Sequence, residues 1–163
     1  MGKRSRELKP LTSEHEQALL LAFQIKKGIA GTPEAAGAPR DVAGLLALAK
    51  RYETSILSTH TRAEEELLSR HLAPDDVARL AAEHAEMRAL LANARSTDGA
   101  DLRNALLRFA DLVERHVRWE ERELFPACEA AIGEAALEAL GQEIEIRLAV
   151  ARAEERAAAK RAS

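Results

Sequence analysis

The stretch ADLRNALLRFADLVERHVRWEERELFP, residues 100–126, decides the fold. Its apolar residues recur at helical spacing. At 100° per residue, the direction between His116 and Glu120 contains Phe109 and is flanked by Leu112 and Val113. The predicted helix therefore turns one stripe toward a core, and that stripe carries an imidazole and a carboxylate. A spacing of four sets the two side chains about 6 Å apart on one face. Residues 60–64, His-Thr-Arg-Ala-Glu, repeat the pattern on a stripe shared with Ile56, Leu57 and Leu67. His84 shares its face with Val77, Leu80 and Leu91, and His15 with Leu11, Leu19 and Ala22.

Outward from these stripes, the chain divides into helices. Residues 1–10 are basic and polar and end at Pro10, which predicts a flexible tail. A first helix is expected from Ser13, with Glu16 completing a capping box, to Gly28 or Gly31. A Gly/Pro/Ala loop over 29–39 leads to a second helix from Asp41 to His71. Pro74 suits the first turn of a third helix reaching Arg95, with Asp75 and Asp76 at its positive end. A fourth helix covers 100–124, and Pro126 marks a break or a new start. The Ala- and Glu-rich residues 134–160 predict a fifth. The expected fold is all-α: an antiparallel up-and-down four-helix bundle over 11–130 and a C-terminal helical extension over 131–163.

Composition agrees. The 163 residues are 47% hydrophobic, 31% charged and only 3% aromatic, which suits a helical globular domain. A net charge of -3 argues against a nucleic-acid partner. No apolar run approaches the ~20 residues that span a bilayer. The opening MGKRSRELKP has no apolar signal region, so a cytoplasmic location is expected. The lone Cys128 rules out an internal disulfide and a cysteine-based metal site within one chain.

One histidine per bundle helix at matching depth can converge on a point. Four imidazoles and two carboxylates are costly to bury unless they are paired or bind a metal. His15, His60, Glu64, His84, His116 and Glu120 are thus the candidate metal-binding residues. An ordinary bundle without metal is the plain alternative. His71, at a helix end, is expected to cap it. Glu53 is expected to pair with an arginine, Tyr52 and Trp119 to pack, and Cys128 to be inert. Glu65, Glu66, Glu121 and Glu123 are expected as solvated charges, with Glu123 leaning inward. Substituting Glu65 or Glu121 is expected to leave metal in place.

The order His, His-x-x-x-Glu, His, His-x-x-x-Glu, carried by LTSEHEQALLLA, HTRAEEELL, EHAEMRALL and HVRWEERELFP, resembles the hemerythrin-like, or HHE cation-binding, domains. The resemblance covers residues 11–130. It implies a non-haem di-iron centre in which His15, His60, His84 and His116 are terminal ligands and Glu64 and Glu120 bridge. Two features depart from the oxygen carriers. The place of their second third-helix histidine holds Arg88, and the fourth-helix carboxylate follows its histidine by four residues rather than five. Many bacterial relatives also have paired histidines in the first motif, where this chain has His15 followed by Glu16. Counting donors, with one oxo or hydroxo bridge, fills about ten of twelve positions on two six-coordinate irons. About two stay open for water, oxygen, peroxide or nitric oxide. Imidazole and carboxylate also suit manganese or zinc.

The leading expectation is a di-iron protein that binds, senses or reduces a small oxidant. A di-iron oxygenase or oxidase acting on an organic substrate, and an iron-responsive interaction module, are the alternatives. The expected partner is a small diatomic or peroxide ligand, with no nucleic acid and no membrane, in a monomer or homodimer.

Overall fold

In the computed structural model, residues 5–162 are described, and all regular structure among them is helical. Helix α1 spans Lys9–Ile29. A second rod runs without a break through α2, Val42–Tyr52, a π turn at Glu53–Leu57, α3, Ser58–Ala63, a second π turn at Glu64–Leu68, and a 3₁₀ turn at Ser69–His71. Helix α4 spans Pro74–Arg95. A fourth rod joins α5, Gly99–Trp119, a π turn at Glu120–Leu124 and α6, Phe125–Ala131. Helix α7 closes the chain at Glu134–Arg161.

Side-chain pairs fix the directions. Along α1, Thr12 and His15 meet Glu121, whereas Lys26 meets Asp111 and Glu114, so α1 and α5 are antiparallel. Glu65 meets His84 while Glu53 meets Arg95, which opposes the second rod to α4. Glu83 meets His116 while Glu86 meets Arg108, which opposes α4 to α5. Glu14 meets His60 while Gly28 faces Leu45, which opposes α1 to the second rod. The rods therefore run up, down, up and down.

The ends follow local chemistry. Asp41 caps α2 by accepting from Gly44 N–H at 2.6 Å. After α1, Gly31 takes φ 80°, and Thr32 N–H reaches the Lys27 carbonyl at 2.9 Å, which closes the helix with a left-handed turn. The start of α1 differs from expectation. It begins at Lys9, with Pro10 in the first turn, where its missing N–H costs nothing. Ser13 lies inside the helix and caps nothing. Burial explains the shift, since Leu8 and Leu11 are both fully covered and pull the helix past the polar capping signal. Residues 1–4 of the expected tail lie outside the described residues. In the rest of it, Ser5 N–H donates to Glu129 and Leu8 is core.

The core has two apolar clusters. One joins Ala18, Leu21, Ala22 and Ile25 of α1 with Leu45, Tyr52, Met87, Leu91, Leu106 and Phe109. The other joins Leu8, Leu11, Leu67, Leu68, Leu80, Phe125 and Cys128 with Leu140, Ile144 and Leu148 of α7. Helix α7 thus completes the second cluster, running beside the N-terminal segment where Gly141 lies against Glu7. A Cβ on Gly141 would sit 2.8 Å from the Glu7 Cβ and 3.0 Å from its Cα. Alanine is favoured over glycine inside a helix by about 1 kcal/mol. Here the backbone clash outweighs that gain, so Gly141→Ala is expected to lower the thermal midpoint. A circular-dichroism melt reads it, and a raised midpoint would show that Glu7 gives way freely.

Candidate metal centre

Between the two clusters lies a polar layer. His15, His60, Glu64, His84, His116 and Glu120 meet there, each at most 5% exposed. They form two groups of potential metal-binding atoms: His15 with His60, and His84 with His116, each group including both Glu64 and Glu120. The imidazoles face each other in pairs, with Nε2···Nε2 separations of 3.1 Å for His15 and His60 and 3.0 Å for His84 and His116. Glu64 turns Oε1 toward His60 at 3.0 Å and Oε2 toward His84 at 3.4 Å. Glu120 turns Oε2 toward His15 at 3.1 Å and Oε1 toward His116 at 2.9 Å. Each carboxylate presents one oxygen to each histidine pair. Both glutamates open a π turn, a widened helical geometry that recurs at functional sites.

A ring of outer carboxylates holds the imidazoles. Glu14 accepts from His60 Nδ1 at 2.9 Å, Glu65 from His84 at 2.8 Å, Glu83 from His116 at 2.7 Å and Glu121 from His15 at 2.7 Å. Each rod sends a glutamate to the histidine of the next, and the fourth returns to the first. An ionised carboxylate can only accept, so Nδ1 is the protonated nitrogen of each ring. The ring has its own supports. Arg152 of α7 donates to Glu14 at 3.0 Å, Arg79 to Glu83 at 3.0 Å and Thr12 to Glu121 at 2.8 Å, while Arg88 stands 3.7 Å from Glu65.

This arrangement sets the chemistry. With Nδ1–H committed outward, each neutral imidazole presents a bare Nε2 lone pair to the centre. The four oxygens of Glu64 and Glu120 are buried and have no hydrogen-bond partner of good geometry among the described residues. With the imidazoles neutral, eight acceptors thus converge on one point, an arrangement that suits cations. The 3.0–3.1 Å nitrogen separations also match adjacent corners of an octahedron with bonds of about 2.1 Å. Without metal, protons must take the cations' place. Burial disfavours charge on His60, but Glu64 and Glu14 outweigh it and push the imidazole up to about 9. Burial is likewise outweighed at His116, by Glu120 and Glu83, again to about 9. His15 is held well above its usual value, burial notwithstanding, by Glu120, Glu121 and Glu64. Despite burial, His116 and Arg79 draw Glu83 down to about 2. Metal uptake therefore displaces protons from Nε2.

The model of the hemerythrin HHE cation binding domain matches residues 6–128, and a second match covers 75–162. This chain belongs to the hemerythrin HHE cation-binding family. The second match takes in α7, which sequence reading left outside the resemblance. No curated protein and no solved structure matches the chain significantly.

Within this hemerythrin-like chain, all six sequence-selected residues come together. Four that matter were missed or misread. Glu65 and Glu121 point away from the centre, as the helical wheel requires, yet they are not solvated charges: each grips a histidine. Glu14 and Glu83 drew no attention, although a signal existed. Every ring glutamate is the sequence neighbour of a central residue: Glu14-His15, Glu64-Glu65, Glu83-His84 and Glu120-Glu121. Glu123 is exposed rather than inward, and Glu66 pairs with Arg147 on the surface. His71 ends its rod away from the cluster, and Glu53 pairs with Arg95. Trp119 is buried under the guanidinium of Arg79, 4.0 Å from the ring centre. Burial pushes the Cys128 thiol up to about 11, as an inert core thiol requires.

Outer carboxylates fix ring orientation and basicity, and losing one typically lowers metal affinity about 10–100-fold. Glu65→Gln, Glu83→Gln and Glu121→Gln are each expected to weaken metal by that factor without emptying the site at saturation. Chelator competition measures it. Wild-type affinity in all three variants would assign the ring no part in the site.

Proposed function

We propose that the chain carries a non-haem di-iron centre with an oxo or hydroxo bridge, and that it binds, senses or reduces a small oxidant such as oxygen, peroxide or nitric oxide. His15 and His60 would hold one ion and His84 and His116 the other, with Glu64 and Glu120 shared between them. The convergence of eight acceptors with two shared carboxylates carries the reading. Bound iron would supply redox change and open coordination positions. The protein's own residues do the rest: the ring glutamates hold each imidazole in one tautomer, and the two apolar clusters keep bulk water away. Manganese or zinc would suit the same donors.

The space beside the cluster decides the ligand's size. A cavity of about 10 Å3 abuts His15, His60, His116 and Glu120, near the lower limit for one water molecule. Sites for organic substrates run to about 300–1,000 Å3, so the oxygenase alternative lacks its room. A second reading, an iron-responsive interaction module, draws on the link His60–Glu14–Arg152, which ties a central histidine to α7. Helix α7 also exposes Ile146 and Val150 one turn apart. No helix among the described residues is long and apolar enough to cross a membrane; a cytoplasmic location and a monomer or homodimer are part of the proposal.

The test is metal analysis after anaerobic iron loading, followed by optical titration with peroxide and nitric oxide. About two irons per chain and a spectral change with either ligand are expected. Iron near zero would end the di-iron reading. Iron without any ligand response, but with a partner captured only in the loaded state, would favour the interaction module.

A further inference from the structure

The cavity beside the cluster is also lined by Ala18, Leu57, Met87, Val113 and Val117, and by Tyr52. A separate groove of about 230 Å3 opens to solvent between α1 and α2 and is walled by Leu20, Leu21, Leu48 and Ile56. Tyr52 lines this groove as well, and it is the one residue common to the two spaces. Tyr52 therefore stands between the outside and the polar layer. Its position in the chain suits movement. Tyr52 is the last residue of α2, and the π turn at Glu53–Leu57 begins directly after it. A π turn breaks the regular i→i+4 ladder, and such turns recur at functional positions.

We propose that Tyr52 is the specificity-determining gate of the site, through which a small uncharged molecule passes from the α1–α2 groove to the cluster. The inference rests on the proposed small-oxidant function and names the route and the selecting residue. Gln17, Gln24, Arg51 and Ser55 also line the groove, but its leucines and Ile56 give a small neutral molecule an apolar surface leading to Tyr52. A ring swing opens a passage of side-chain width, too narrow for an organic substrate. The phenol stays neutral, since burial and the nearby charges of Glu14, Glu64 and Glu120 push its ionisation far above the usual range. A competing way in exists. Thr61 lines both the cavity and a cleft of about 340 Å3 formed with Arg62, Glu65, Glu66 and Arg88. That cleft is charged, and the β-branched Thr61 is stiff about χ1, so it suits a neutral diatomic less well.

Two measurements test the gate. The first is the association rate of nitric oxide with iron-loaded protein in stopped flow. Removing a conformational step on the way in raises such a rate, here by about tenfold or more for Tyr52→Ala and Tyr52→Leu. Tyr52→Phe, which keeps the ring, is expected to restore the slow wild-type rate. The leucine variant preserves bulk should the alanine variant fold poorly, and metal content shows that each retains its centre. The second uses metal-free crystals under xenon. Xenon is expected in the space joining Leu21 to His15 in Tyr52→Ala and absent there in the wild type. Wild-type association rates in Tyr52→Ala and Tyr52→Leu, with faster association in Thr61→Ala, would overturn the gate while leaving the function intact. Failure of iron or nitric oxide to bind would instead defeat the functional reading, and the xenon result would then decide the partition alone.

Discussion

Glu64→Ala and Glu120→Ala are each expected to drop the metal content from about two ions per chain to one or none. Two divalent ions about 4 Å apart repel by roughly 16 kcal/mol at an effective dielectric of about 20. A carboxylate with one oxygen toward each histidine pair offsets that repulsion for both ions together. Deleting it removes a donor from each half and a charge from between them. Removing a terminal imidazole, as in His60→Ala, leaves a position that water can fill, so loading is expected to persist at higher metal concentration. Glu65→Gln and Glu121→Gln reach the centre through His84 and His15 and are expected to keep two ions at saturation. Metal analysis of the five variants side by side separates these outcomes. Two ions retained in both Glu64→Ala and Glu120→Ala would remove the bridging assignment.

Metal removal is expected to lower the thermal midpoint by about 10–20 °C. Ions that bind only the folded chain stabilise it by about 2.7 kcal/mol per site at a hundredfold excess over Kd. Two sites give about 5 kcal/mol, and a domain of this size shifts by roughly 2–4 °C per kcal/mol. Binding also counts as folding, because the unfolded chain cannot gather His15, His60, His84 and His116 from four separate helices. Loosening should concentrate in the polar layer, where eight acceptors then face each other without the cations they suit. Thermal melts of chelator-stripped and reloaded protein measure the shift, and hydrogen exchange of the amides near His15 and His116 locates it. Equal midpoints for the two forms would contradict a metal-stabilised bundle.

Much of this was legible in the sequence because helices translate spacing directly into direction. His116 and Glu120, four apart on a stripe with Phe109, had to share a face, and so did His60 and Glu64. Repetition of the pattern on two helices, with His15 and His84 on the apolar stripes of the other two, was enough to name all six central residues. The order of helices followed from turn residues at Gly31, Asp41 and Pro74. Where sequence reading went astray, burial overrode a local signal. Ser13 and Glu16 form a sound capping pattern, but burying Leu8 and Leu11 is worth more than a cap, and α1 starts four residues earlier.

The sequence by itself thus determined an all-α bundle, one inward histidine on each of four rods and a glutamate one turn beyond two of them, since these depend on residue type and on periodicity within one helix. Only the tertiary structure decided what passes between helices. The closed ring Glu14–His60, Glu65–His84, Glu83–His116 and Glu121–His15 is made wholly of contacts between rods. A wheel drawn on one helix showed Glu65 and Glu121 turned away from the centre and could not show that a neighbouring imidazole waits there. The docking of α7 through Leu140, Ile144 and Leu148, and the place of Tyr52 between two spaces, likewise depend on packing between elements far apart in the chain. Periodicity fixes the face a side chain leaves from; packing of the rods fixes what it meets.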